Sequence, residues 1–321
     1  MAFFPRLILS CAIALWSVAA TAQDAFPARP VRLVVPLPPG GSNDLLARYV
    51  AQRLGESWGQ PVLVENRPGA NTIIGAEQVV KAPGDGHTLL IGATSTYTIN
   101  PLIYPKLSYD PVRDLTPVTM IGDHALIIVV NPSVPANSLR ELIDLARRQP
   151  GKLDYGTPAV SFQVVIEDFA LSAGVKAHHI PFKGSVPMLT SLLGGDLQFL
   201  FIDPPPALPH VRTGRLRALA VTSANRVPYL PDVPTVSEAA VPGYSAMFWV
   251  GLFAPSSTPR PIVSQVQQEV SRIVRSAAGQ ERFSALGISP VGNTPDEFLS
   301  YLKAESIRYA PVIRATGIRA E

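Results

Sequence analysis

Apolar positions follow two alternating patterns along this chain. Short, nearly continuous runs cover Val31–Val35, Pro61–Asn66, His87–Gly92, Leu126–Val130, Gly151–Gly156, Ala177–Phe182, Leu197–Ile202 and Leu216–Ser223. Runs of this length and β-branched content predict strands. Between them the apolar period lengthens. Leu45, Leu46, Tyr49, Val50 and Leu54 fall on one face of a helix. Ser138–Gln149, Phe162–Ala173 and Ser185–Leu193 predict further helices.

Helix-start signals sharpen this picture. Ser42 is expected to cap the first helix, with Asp44 in its first turn, where the helix dipole favours negative charge. Near the C-terminus, Thr258 precedes Pro259, and "TPDE" at Thr294–Glu297 has the spacing of a capping box. Strand–helix alternation predicts an α/β fold with mostly parallel sheets. The strands outnumber those of one ordinary doubly wound sheet, so two α/β lobes are expected. Leu126–Val130 and Phe248–Pro255 are the candidate crossings. Lobe 1 would then be discontinuous, 23–125 plus 248–321, and lobe 2 would be 126–247.

Composition changes the picture at the N-terminus. One cation, Arg6, precedes an apolar run from Leu7 to Val18, and the small residues Ala20–Ala22 follow. This is the pattern of a secretory signal (1–22) cut after Ala22. The run is too short to cross a membrane. A lipid on Cys11 is disfavoured, because the apolar stretch before it is only four residues. Cys11 is the only cysteine, so the mature chain has no disulfide and no thiolate chemistry. A core of this size does not need such staples.

The formal charge is +3 with 16% charged residues, and it falls to +2 without Arg6. That balance does not call for nucleic acid or an anionic membrane. The 33 prolines, about twice the usual share, suggest short stiff connections.

Candidate chemistry gathers at turns that follow strands. "VPLPPGGSNDLLARYV" (Val35–Val50) reads as strand, glycine loop and helix. It lacks the phosphate-loop lysine and the full dinucleotide glycine pattern. Free N–H groups at a helix start bind a carboxylate as readily as a phosphate. A plain tight turn with a serine cap explains the same residues equally well. Thr94-Ser95-Thr96, Thr157–Ser161 and Lys183-Gly184-Ser185 occupy the same kind of position. Four such polar turns at strand ends suggest one cleft for a small polar or anionic ligand.

His178-His179 is read as structural, because neighbouring strand residues point to opposite faces and no third ligand stands at zinc spacing. His87, His124 and His210 are isolated. No nucleophile elbow or metalloprotease helix is present, so neither a cofactor nor a metal is expected. Asp203, in "FIDPPPALPH", can contact a ligand, meet the other lobe or cap the next helix, and the pattern does not rank these.

"RLVVPLPPGGSNDLLAR", "VENRPGA", "PFKGSVPMLTSLLGGDLQFLF" and "ALPHVRTGRLRALAVTS" together resemble the Bug-type extracytoplasmic solute receptors of tripartite tricarboxylate transport systems. The resemblance covers nearly all of the mature chain. It implies a periplasmic binding-protein fold whose two lobes, joined by a hinge, close on a small organic acid, amino acid or related polar ligand. It also implies a monomer without enzymatic activity, serving membrane transporter subunits. A sensor kinase is the alternative partner, and a hydrolase using Asp203 or a histidine is the enzyme alternative.

Carried onto this sequence, the first loop supplies Leu37, Pro39, Gly40, Gly41, Ser42 and Asn43, helped by Thr94, Ser95 and Tyr97. The second supplies Thr157, Ala159, Ser161 and Gln163, with Lys183, Gly184 and Asp203 from the neighbouring turns. "YGTPAVSFQVV" departs from the family pattern. It is about two residues shorter, with Phe162 for a serine and Gln163 for a histidine. That departure counts against the typical dicarboxylate and admits a monocarboxylate, an aromatic acid or an uncharged amide.

Overall fold

The computed structural model describes residues 26–319, so the expected signal segment lies outside the described residues. Eleven strands are present among them. In chain order they are β1 (Val31–Val35), β2 (Val62–Asn66), β3 (Thr88–Ala93), β4 (Leu115–Ala125), β5 (Ile127–Val130) and β6 (Asp154–Thr157). There follow β7 (His178–Pro181), β8 (Phe199–Ile202), β9 (Arg217–Val221), β10 (Met247–Pro255) and β11 (Ser289–Pro290).

They form two sheets, one per lobe: β11-β4-β10-β3-β1-β2 and β7-β6-β8-β5-β9. Both sheets are mixed rather than mostly parallel. β1–β2, β1–β3, β6–β7 and β6–β8 pair in parallel. Every pair involving β4, β5 or β10 is antiparallel. The reversal has a simple origin. These strands carry the chain between lobes, so they enter each sheet from the hinge side, against the βα units.

Both faces of each sheet are covered, which is why the strands read as continuous apolar runs. Along β1, Val31, Leu33 and Val35 enter one core while Val34 enters the opposite one. Along β5, Ile127 and Val129 face one side while Ile128 and Val130 face the other. The Ser42–Trp58 helix buries Leu46, Val50 and Leu54 against sheet one and stops at Gly59, whose φ of 65° only glycine adopts without strain.

β4 was not foreseen. It contains Pro117, Gly122 and Asp123, which argue against a central strand. Pro117 is accommodated at a register shift opposite Phe253. A single residue, Leu126, separates β4 from β5. Leu126 and Ala246, at the two crossings, are both tied to Thr222. The Thr222 Oγ1 hydroxyl donates to Ala246 O (2.7 Å) and accepts from Leu126 N–H (2.9 Å). The capping box at Thr294 forms as expected and starts the Pro295–Thr316 helix. That helix packs Phe298 and Leu302 under sheet one, and Tyr309 and Ile313 under sheet two. The other expected cap shifts by one residue: Pro259 takes the cap position and Thr258 makes no capping bond.

Candidate ligand-binding cleft

The turns at the carboxyl ends of β1, β3, β6, β7 and β8 converge on one cavity between the sheets. It has a volume of ≈ 40 Å³, room for about three water molecules. A larger space of ≈ 450 Å³ adjoins it at the mouth and shares Leu37, Pro38, Pro158, Ala159 and Gly184 with it. The lobes stand close together here. A Cβ on Gly184 would lie 3.2 Å from Pro38, and one on Gly40 only 3.0 Å from Val186. Glycine at both points permits this approach, and both have positive φ.

Three helix starts point donors at this space. The first helix is capped by Gly41, not Ser42, which makes no capping bond. Ser42 is the first residue of the helix, and its hydroxyl is buried with no hydrogen-bond partner among the described residues. The helix Val160–Ala173 begins after Ala159, and the helix Ser185–Gly194 after Gly184. First-turn N–H groups have no partner inside a helix, and the dipole adds partial positive charge. Besides the His124–Asp203 pair, two bonds join the lobes at this level. Ser95 Oγ donates to Ser161 Oγ (2.8 Å), and Val160 N–H donates to Asn71 Oδ1 (3.3 Å).

The acidic groups differ sharply. Asp44 accepts from Gly40 N–H (3.1 Å), Asn66 Nδ2 (2.9 Å) and Arg48 Nε (3.1 Å). Burial alone would raise its carboxyl, but these bonds outweigh burial and hold it below the usual range. Asp203 occupies the cap position of the Pro204–Arg212 helix yet makes no capping bond, since Pro204, Pro205 and Pro206 have no N–H. Its partner is His124, with Nε2 3.1 Å from Oδ1. His124 sits near the end of β4, opposite Phe248 in β10. His124 Nδ1 is buried and has no partner among the described residues. The apolar wall is Phe162 packed on Phe248 (ring centroids 4.5 Å), with Trp249 beside them.

The structure brings Leu37, Gly41, Ser42, Asn43, Ser95, Ala159, Ser161, Gly184 and Asp203 to the cavity. The other expected residues lie elsewhere. Gly40 turns its N–H to Asp44, and the adjacent Pro39 lies outside the cavity. Thr94 is buried, and its hydroxyl has no partner among the described residues. Tyr97 stacks on Phe253 in the core. Thr157 Oγ1 pairs with His179 Nε2 at 2.6 Å, and Gln163 lines a separate outer groove. Lys183 lines the mouth. His178 pairs instead with Asp154, so the two adjacent histidines serve different partners.

Sequence reasoning did not assign His124, Phe248 and Trp249 to the site. The signal was available, because residues flanking a crossing strand must lie between the lobes. Among the described residues, no cluster of three metal-ligating side chains is present.

A model of the tripartite tricarboxylate transporter family receptor matches residues 46–318. The chain belongs to this family. Among its relatives, Protein BugT of Bordetella pertussis is 38% identical over 304 residues, covering 94% of this chain and 93% of the relative. The solved structure of R. palustris Rpa4515 with adipate superposes with a TM-score of 0.89 at 37% identity, covering 92% of this chain and 99% of the other. MatC (Rpa3494) from Rhodopseudomonas palustris, with bound malate, gives 0.84 at 30% identity, covering 90% and 100%. The tricarboxylate-transporter-type receptor described here therefore has the two-lobed α/β binding-protein fold.

Proposed function

We propose that this receptor works in the periplasm, freed from its leader after Ala22, and captures a small carboxylate between lobe 1 (23–125 plus 248–321) and lobe 2 (126–247). The observation that carries this reading is the convergence of three donor-bearing helix starts on one cavity, with the Ser42 hydroxyl buried beside it and without a partner among the described residues. Related receptors hold adipate and malate. Gly41, Ser42, Asn43, Ser95 and Ser161 contact the acid group. The present cavity is too small for such an acid, so the lobes part for entry and close around it. The closed shape is what membrane transporter subunits recognise, because only a closed-state preference lets ligand shift the population. The receptor acts as a monomer and returns its ligand unchanged. The hydroxyls at the cavity support this: Ser95 and Ser161 bond each other rather than an imidazole.

A thermal-shift and calorimetric screen of small organic acids tests the proposal. At a ligand concentration 100 times Kd, binding adds about 2.7 kcal/mol to the unfolding free energy. Absence of any shift across mono- and dicarboxylates, or recovery of a chemically altered ligand, overturns it.

A further inference from the structure

Behind the cavity wall, the Pro295–Thr316 helix carries an acid where an apolar residue would pack without cost. Phe298, Leu302, Glu305, Tyr309 and Ile313 recur at helical spacing and form its buried face. The first two pack under sheet one and the last two under sheet two. Glu305 therefore stands where the helix passes from one lobe to the other, and it is only 6% exposed. A carboxyl is costly to bury, so this one calls for a reason.

Glu305 Oε2 accepts two hydrogen bonds, from Trp249 Nε1 (2.5 Å) and from Thr98 Oγ1 (2.8 Å). Both donors belong to elements of the cavity wall. Trp249 lines the cavity from β10, just past the crossing at Ala246. Thr98 lies in the turn Ser95–Ile99, whose first residue lines the cavity and bonds Ser161 across the lobes. One carboxyl thus holds an indole and the turn that carries a cavity hydroxyl. It does so from behind the wall, without lining the cavity itself.

Burial outweighs these bonds and pushes the Glu305 carboxyl up to about 7. On the same helix, Arg308 and Tyr301 favour its ionised form, and Tyr309 also faces it. β4 brings Asp123, which bears on Tyr301, and the Val160–Ala173 helix brings Asp168, which bears on Tyr309. The Ser95–Ile99 turn brings Tyr97, which stacks on Phe253. Burial raises all three tyrosines, so they stay neutral near pH 7, and it raises both aspartates as well. No lysine or arginine lines the cavity among the described residues. A carboxylate in the cavity is then a like charge across the Trp249 side chain from Glu305, and like charges favour the neutral form of a titrating acid.

Building on the receptor function proposed above, we propose that Glu305 is the positioning residue of the ligand site and that an acid ligand binds with uptake of a proton by Glu305. A proton on Oε1 leaves Oε2 free to keep both acceptor bonds, so the wall stays in place while the charge behind it is removed. The coupling is reciprocal: ligand raises the proton affinity of Glu305, and the proton raises ligand affinity. Affinity is therefore highest below the free receptor's value of about 7 and falls as pH rises through it.

Calorimetry on the full mature chain at pH 6.5, 7.5 and 8.5, in two buffers of different ionisation enthalpy, tests this. The probes are glutarate, adipate and benzoate, which stay ionised across that range. The best-bound acid is expected to bind at least about threefold more tightly at pH 6.5 than at pH 8.5, with about half a proton taken up per ligand at pH 7.5. Glu305→Gln keeps an acceptor for both donors and is expected to bind equally at the three pH values, with no proton uptake. Glu305→Leu strands both donors and is expected to weaken binding about tenfold at every pH. Circular dichroism checks the folding of each variant. Wild-type binding that does not change with pH overturns the inference and leaves the carboxylate-receptor reading intact. Failure of all three acids to bind overturns both. A slope or proton uptake retained in Glu305→Gln assigns the proton to another acid or to His124 and overturns the role of Glu305. Full affinity in Glu305→Leu overturns the positioning role. Should Glu305→Gln not fold, Thr98→Val serves instead: loss of one donor to Oε2 is expected to move the fall in affinity to higher pH, and an unmoved midpoint refutes the linkage.

Discussion

Two aspartates stand against the same cavity in opposite conditions. Asp44, on the wall contributed by the first glycine loop, is saturated by Gly40, Arg48 and Asn66. Asp203, on the facing wall, has His124 alone among the described residues. The first arrangement holds a loop in shape. Asp44 pulls the Gly40 N–H inward and anchors Arg48 and Asn66, and Asn66 in turn donates to Leu37 O (3.1 Å). The second leaves capacity for something else. Both are buried aspartates, so neither burial nor residue type distinguishes scaffold from site. The partner count does.

The strongest way to break this comparison is to remove each acid in turn. Asp44→Ala strands the half-buried Gly40 N–H and Asn66 amide, so it should cost about 2–4 kcal/mol of unfolding free energy. Asp203→Asn should change stability by less than about 1 kcal/mol, since its one bond has a neutral replacement. Urea denaturation of both variants decides the matter. Equal losses would show that Asp203 is scaffold as well. The Asp44 contribution also has a pH signature. Its folded pKa lies below the usual value, so its stabilisation is present above the ordinary carboxylate range and fades as pH falls through the lowered value.

A third buried acid extends the comparison behind the cavity. Glu305 accepts from Trp249 Nε1 (2.5 Å) and Thr98 Oγ1 (2.8 Å), yet burial dominates and pushes its carboxyl up to about 7. The folded state therefore holds a proton that the unfolded chain releases. Stability from this group is full below its usual value of 4.5 and is lost as pH rises through about 7. The loss amounts to roughly 3 kcal/mol between pH 4.5 and 8. Glu305→Gln keeps an acceptor for Trp249 and should flatten that slope. Urea midpoints at pH 5 and pH 8 measure it. A wild-type slope retained in the variant would assign the pH dependence to another group.

These contrasts also explain what was legible in the sequence. The βα turns were legible because their signals are local: an apolar run, a glycine, a serine, then a helical period. Gly41, Ser95, Ser161 and Gly184 reach the cavity on that basis. The crossing strands were only half legible. Leu126–Val130 read correctly as apolar, but β4 carries proline, glycine and aspartate in a place where pairing with β10 along its whole length overrides weak propensity. His124, Phe248 and Trp249 were lost with it, since their role depends on which strand faces which. Ser42 was expected to cap because serine prefers that position. Gly41 takes it instead, which leaves the Ser42 hydroxyl unpartnered beside the cavity.

That displaced hydroxyl gives the next test. Ser42 Oγ makes no bond among the described residues, so Ser42→Ala should leave unfolding free energy within about 0.5 kcal/mol of wild type. A hydroxyl-to-carboxylate bond made only with ligand should then disappear, weakening the best-bound acid about tenfold, or about 1.4 kcal/mol. Calorimetry beside denaturation separates the two effects. A stability loss without an affinity loss would move Ser42 to the scaffold side with Asp44.

The smallest expected effect concerns the joint between the two walls. Ala70, Asn71 and Thr72 all have positive φ, at 43°, 48° and 78°. Such strain costs about 1 kcal/mol or more per residue and persists only when surroundings enforce it. Here Asn100 clamps the segment, donating to Asn71 O (2.8 Å) and accepting from Asn71 Nδ2 (2.5 Å). The result aims Asn71 Oδ1 across the gap at Val160 N–H, the start of a facing helix. Asn71→Gly keeps the left-handed backbone and deletes only the side chain. If the bond across the lobes favours closure, affinity should fall about fivefold, near 1 kcal/mol, with the dissociation rate carrying most of the change. Stopped-flow release of a bound acid reads that rate directly. An unchanged rate would mean that Ser95–Ser161, His124–Asp203 and the ligand itself hold the lobes together, and that the strained turn serves the first lobe alone.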